Sequence, residues 1–197
     1  MLTSCFCLFA CISKFEKVEV RDDAGKITES YTIDKETKKR QGIYHRFINE
    51  RLVEESYYKQ DTLDGKRYLF DEEGNRIIAE TYQAGIYHGP YYSYYPDGSI
   101  KIEGQYQAGT MEDVWTKYYA SGQLMEKVRM HKNEENGPFI EYHENGNLKA
   151  EGSYLNGDNE HGELLLYDES GELERKMECN KGICHTTWTR EKGLHAN

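Results

Sequence analysis

Proline is nearly missing from this chain, with three residues in 197. That excludes a proline-rich linker, and the 18 glycines then read as tight turns between extended segments. Basic charge is also short. Twenty-five Lys and Arg face 35 Asp and Glu, for a formal charge of -10. No basic stripe is available to release counterions from a phosphate backbone or to meet anionic lipid head groups, so nucleic acid is excluded as a partner. Long Ala/Leu-rich helical stretches are absent. Hydrophobic residues reach only 37%, and Phe (6) and Trp (2) are few beside 17 Tyr. A tyrosine buries a large ring while keeping one wet end, which suits a thin structure with few enclosed positions. An all-β chain follows.

Catalytic signatures are missing as well. The seven His (45, 88, 131, 143, 161, 185 and 195) show no HExxH or comparable ligand spacing. No G-x-S-x-G turn exists to strain a serine nucleophile. The acidic groups Asp71-Glu72-Glu73 and Glu134-Glu135 stand beside strands and read as solvated turns, with a calcium site the sharper alternative. The sequence therefore predicts no enzyme, no catalytic residue, no metal and no cofactor.

Met1 to Ser13 carries no charged residue. It is too short to span a bilayer, which takes about 20 apolar residues, and it is close to the apolar core of an export signal. Leu8-Phe9-Ala10-Cys11 resembles the lipobox of bacterial lipoproteins, which implies Cys11 as a lipidated residue and a cell-envelope location. No Lys or Arg precedes the apolar run, and a buried Cys-rich strand is the alternative. In an exported chain Cys179 and Cys184 could pair across the Cys-Asn-Lys-Gly-Ile-Cys turn.

The strongest signal is periodic. A lead-in residue before an aromatic strand recurs as Gly42, Gly65, Gly89, Asp113, Gly137 and Gly162, at intervals of 23, 24, 24, 24 and 25. Hairpin tips recur as Gly25, Glu50, Gly74, Gly98, Gly122, Gly146 and Gly171. Two interleaved series with one period mark a repeat. Two positions after the lead-in stand Tyr44, Arg67, Tyr91, Trp115, Phe139 and Leu164, with Arg67 out of character. Five positions after it stand Phe47, Phe70, Tyr94, Tyr118, Tyr142 and Tyr167. Segments such as Ile100-Lys101-Ile102-Glu103-Gly104-Gln105-Tyr106 alternate apolar or small with polar residues, as a half-buried strand does. Each unit is thus strand, tight turn, strand, looser turn. The fold expected is an elongated single-layer antiparallel β-meander of tandem ~24-residue β-hairpins. Six units at about 4.8 Å per strand give roughly 55–60 Å. The two aromatic columns lie three residues apart and cannot share a face of an unbroken strand. Either a bulge re-aims one, or both faces of the sheet are partly apolar.

The unit from His88 to Gly109 resembles the MORN repeat variant of the bacterial proteins labelled the YwqK family. Glu135-Asn136-Gly137-Pro138-Phe139 with Glu144-Asn145-Gly146-Asn147-Leu148-Lys149 fits equally well. Departures are Asp113 for the lead-in glycine, Glu50 for a tip glycine and an inserted stretch around Asn133 to Glu135. The resemblance implies an elongated sheet used in protein interaction, and the labels antitoxin and membrane-associated protein.

The sequence divides into a signal and lipobox segment (1–13), a degenerate first hairpin (14–40), the repeat array (41–182) and a C-terminal tail (183–197). The aromatic columns are the feature with functional promise, since rigid rings are enriched at binding hot spots. Tyr91, Tyr94, Trp115, Tyr118, Phe139 and Tyr142, in the most regular units, are the expected contacts to a protein partner. Stacking rings to bury a one-layer sheet is their competing role. The membrane enters only through a lipid anchor. A cytoplasmic antitoxin and a glycan platform are the alternatives.

Overall fold

The computed structural model describes residues 13–191. These form one open sheet of sixteen strands, all-β, with every pairing antiparallel and no helix among the described residues. The strands are β1 (Phe15–Arg21), β2 (Ile27–Asp34), β3 (Arg40–Ile48), β4 (Arg51–Lys59), β5 (Thr62–Phe70) and β6 (Arg76–Gln83). Next come β7 (Ile86–Tyr87), β8 (Gly89–Tyr94), β9 (Ile100–Gln107), β10 (Thr110–Tyr118) and β11 (Leu124–His131). The last are β12 (Glu134–Tyr142), β13 (Leu148–Tyr154), β14 (Gly162–Tyr167), β15 (Leu173–Asn180) and β16 (Ile183–Thr189). Strands β7 and β8 are parts of one strand interrupted at His88, and both pair with β6.

One margin of the sheet is closed by two-residue turns whose residues both lie at positive φ, as in Ala84-Gly85 (50° and 82°) and Ala108-Gly109 (49° and 90°). This primed geometry follows the twist of paired strands. The second amide of each turn reaches back one unit: Gly85 donates to the Leu63 carbonyl and Gly109 to the Tyr87 carbonyl, both at 2.8 Å. At the opposite margin the Tyr95 and Tyr119 hydroxyls donate forward to the carbonyls of Tyr118 and Tyr142, at 2.7 and 2.8 Å. Neighbouring units are therefore tied at both ends as well as along their strands.

Two expectations need correction. The turn Lys132-Asn133 joins His131 to Glu134 as in the other units, so no residue is inserted there. The extra residue falls instead in the Leu155–Glu160 connection, where the Leu155 amide donates to the Asn159 carbonyl. The segment expected as a tail begins with β16, because Lys181 and Gly182 (φ 50° and 80°) make one more primed turn.

Glu50 sits at φ 65°, left-handed like the tip glycines elsewhere. A side chain there costs about 1–2 kcal/mol, against ~0.5–1 kcal/mol for the extra chain freedom of glycine. The exposed Lys26–Glu50 pair contributes little against this. Glu50→Gly is expected to raise stability by about 0.5–1 kcal/mol, read as an upward shift of the urea midpoint.

The first strand of each unit carries two extra residues around its lead-in position. Glu135 faces Met130 and Phe139 faces Val128, so four steps on β12 oppose two on β11. The lead-in residue has positive φ in every unit, from 61° at Asp113 to 132° at Gly65. A second, one-residue bulge falls on the following strand, where Lys101 is the extra residue between Ile100 and Ile102. Neither bulge lies between the two aromatic columns on the first strand. Alternation there is unbroken, so the columns occupy opposite faces and both sides of the sheet are partly apolar.

Candidate interaction surface

The pairing places one row of side chains across the whole array on one face. It runs Val18, Tyr31, Tyr44, Ser56, Arg67, Glu80, Tyr91, then Gly104, Trp115, Val128, Phe139, Gly152, Leu164 and Met177. At Gly104 and Gly152 a large ring on a first strand leans over a small residue on a second strand. Trp115 covers Gly104, and a Cβ built there would lie 2.2 Å from the indole. Phe139 covers Gly152 in the same way, at 3.0 Å. With Val128, Met130, Ala150 and Cys179 these rings form the core, and Trp115 and Phe139 are only 7% and 5% exposed.

Arg67 interrupts the row and explains its own oddity. It donates to Glu54 at 2.9 Å and to Glu80 at 3.3 Å, with Glu54 8% and Glu80 6% exposed. Ser56 and Arg46 also donate to Glu54, and the Tyr82 and Tyr87 hydroxyls both donate to Glu80. Burial pushes the Glu54 carboxyl up, but Arg67, Ser56 and Arg46 outweigh it and hold the group below its ordinary value.

Of the six sequence-derived contact residues, Tyr91, Trp115 and Phe139 lie in this packed row, the Tyr91 ring 5.4 Å from that of Trp115. Tyr94, Tyr118 and Tyr142 belong to the other face and do not join them. There the Tyr118 hydroxyl donates to Glu103 at 2.7 Å, and that bond followed by burial pushes it up to about 12. Tyr167 does the same with Glu151 at 2.5 Å. Cys179 and Cys184 face each other across β15 and β16 and are joined as a disulfide, with Cα atoms 4.0 Å apart. Cys11 lies outside the described residues.

The face opposite the packed row carries a trough. Its largest depression, about 880 Å³, is lined by Val114, Lys127, Pro138, Ile140, Glu151 and Leu165 among others. A second, about 390 Å³, shares Val114 and Lys127 with it and extends over Glu103 and Tyr92. A third, about 320 Å³, shares Pro90 and Tyr92 with the second and continues to Tyr68 and Arg76. The Arg76 guanidinium lies 4.0 Å over the Tyr68 ring and caps it. Val114 is 53% exposed, and Ile43 and Tyr57 on the same face are also exposed. Sequence reasoning passed over Val114, Ile140 and Leu165 because each is flanked by a more conspicuous ring or core residue. Strict alternation about Trp115, Phe139 and Leu164 was the signal that places them together.

Among the described residues no group of His, Cys, Asp and Glu is arranged to hold a metal ion. No helix there is long and apolar enough to cross a membrane.

No curated protein matches the chain. Among solved structures, a crystal structure of an S. aureus TarM mutant in complex with fondaparinux, alpha-GlcNAc-glycerol and UDP is 14% identical. The match covers 58% of this chain and 20% of that one, with a TM-score of 0.29, and so carries no structural inference. The family model described as MORN repeat variant matches residues 87–108, 114–133, 135–156 and 160–178. The units at residues 41–86 lie outside these matches, yet keep the same bulges and register. Four successive units of this sheet thus match the MORN repeat variant, over less than half of the chain, and the remaining hairpins of the array share their fold.

Proposed function

We propose that the protein is a non-catalytic scaffold that binds a protein partner through the trough face, tethered at the bacterial cell envelope by a lipid on Cys11. The observation that carries the reading is the division of labour between faces. Rings on one side cover each other, whereas Val114, Ile43 and Tyr57 on the other remain open to solvent. Exposed apolar groups within a polar surround are the mark of an interaction site. Binding therefore depends on Val114, Ile140 and Leu165 together with Tyr94, Tyr118 and Tyr142. Trp115 and Phe139 support it from the core.

Pull-down from the native host with the full chain and with Val114→Glu tests this. Loss of the captured protein in the folded variant is expected, and retention of it overturns the assignment of the face. Mass spectrometry of the mature N-terminus decides the compartment. A diacylglyceryl-modified Cys11 is expected. An unmodified N-terminus, with suppression of a neighbouring toxin on co-expression, replaces the tethered scaffold by a cytoplasmic antitoxin of the YwqK type.

A further inference from the structure

We propose that the trough takes an extended, polyproline-II-like segment of the partner, laid along the array axis with three residues per unit. This rests on the protein-binding reading above and adds the form and chemistry of what binds. The three depressions join end to end through shared residues, from β5 to β14. Eight strand spacings of about 4.8 Å make a channel roughly 38 Å long. Its floor has one residue from each first strand: Tyr68, Tyr92, Thr116, Ile140 and Leu165, all in one pairing row. These recur every second strand, at about 9.6 Å.

That spacing selects the occupant. A polyproline-II helix rises about 3.1 Å per residue with three residues per turn, so every third side chain returns to the same side after about 9.3 Å. Over four intervals the mismatch is only about 1 Å. A β-strand turns its third residue to the opposite side. Two turns of α-helix advance about 10.8 Å and drift out of step by roughly 5 Å over the same distance. Sugars stack on ring faces, but rings leave the floor after Tyr92, where Thr116, Ile140 and Leu165 follow.

Charge defines the rest of the occupant. Between floor residues the same row presents Glu103, Lys127 and Glu151 in alternating sign. Glu103 and Glu151 are held in place by the Tyr118 and Tyr167 hydroxyls. A matching segment has an apolar residue at every third position, a base over Glu103 and Glu151, and an acid over Lys127.

The test is selection of random 15-residue peptides displayed on phage against the full chain, followed by fluorescence anisotropy of synthetic copies. Enriched peptides are expected to repeat an apolar residue every three positions. Their affinity is expected to fall at least tenfold in Ile140→Glu and in the exposed-site variant Val114→Glu, with circular dichroism unchanged. Enriched peptides with helical i, i+3, i+4 spacing that still depend on Val114 would overturn the extended mode while leaving protein binding intact. Peptides indifferent to both variants, or oligosaccharide-array hits that depend on Val114 with no peptide enriched, would overturn both.

Discussion

Gly104→Ala is expected to lower the unfolding free energy by about 3 kcal/mol, the upper part of the range for overpacking a filled core. The added methyl would sit 2.2 Å from Trp115 Cδ2 and 2.4 Å from Cε2. The indole cannot swing aside freely, because Tyr91 and Tyr106 hold it at 5.4 and 5.3 Å between ring centres. Gly104 is not at a left-handed φ, so the effect is purely one of space. Gly152→Ala meets Phe139 at 3.0 Å and is expected to cost about 1 kcal/mol. Urea denaturation followed by tyrosine and tryptophan emission measures both. Adding Trp115→Leu to Gly104→Ala is expected to recover part of the loss, giving a coupling between the two positions of about 1 kcal/mol or more. Strict additivity would show that the ring-over-gap packing is not what Gly104 provides.

Arg67→Met is expected to be at least as severe at neutral pH, at about 3–5 kcal/mol, because it leaves two buried carboxylates without their shared cation. Its signature is the dependence on pH. In the native protein the folded Glu54 value is depressed. That stabilisation is present above the ordinary glutamate value and is lost as pH falls through the folded one. In Arg67→Met the main opposing influence is gone and burial raises the Glu54 carboxyl. The variant's folded state then binds protons more readily than its unfolded state, so its stability rises as pH falls from 7.5 towards 5. The gap between the two proteins should narrow over that interval, as read from urea midpoints. Glu54→Gln/Arg67→Met/Glu80→Gln is expected to regain most of the loss at pH 7.5, since neutral groups of similar volume replace the charged triad. A gap that stays constant from pH 7.5 to 5 would show that Arg67 contributes by packing its stem rather than through charge.

The period of this sheet is legible in the sequence because turn chemistry is local. Ala84-Gly85, Ala108-Gly109 and Lys181-Gly182 must adopt positive φ to reverse the chain, and they mark one margin without any tertiary information. Asp113 and Glu50 show the limit of that rule: each takes the conformation of the glycine it replaces, so the pattern breaks in letters and not in backbone. The Arg67 cluster could not be read in advance. Glu54 and Glu80 each lie 13 residues away, and only the two-residue bulge of β5 aligns Arg67 with Ser56 rather than with a neighbour. The trough stayed hidden for a related reason. A conspicuous ring draws attention to its own face, whereas the open surface is defined by Val114, Ile140 and Leu165, whose side chains are ordinary and whose grouping depends on register.

Each strand pairs only with the ones beside it, side chains reach at most to the next unit, and each turn fastens to the turn one period away. A duplication or deletion of one whole period therefore preserves the strand pairing on either side of the joint, while an insertion of any other length breaks the row there. Such a gene changes the reach of its product by copy number, as a ruler is lengthened by adding divisions.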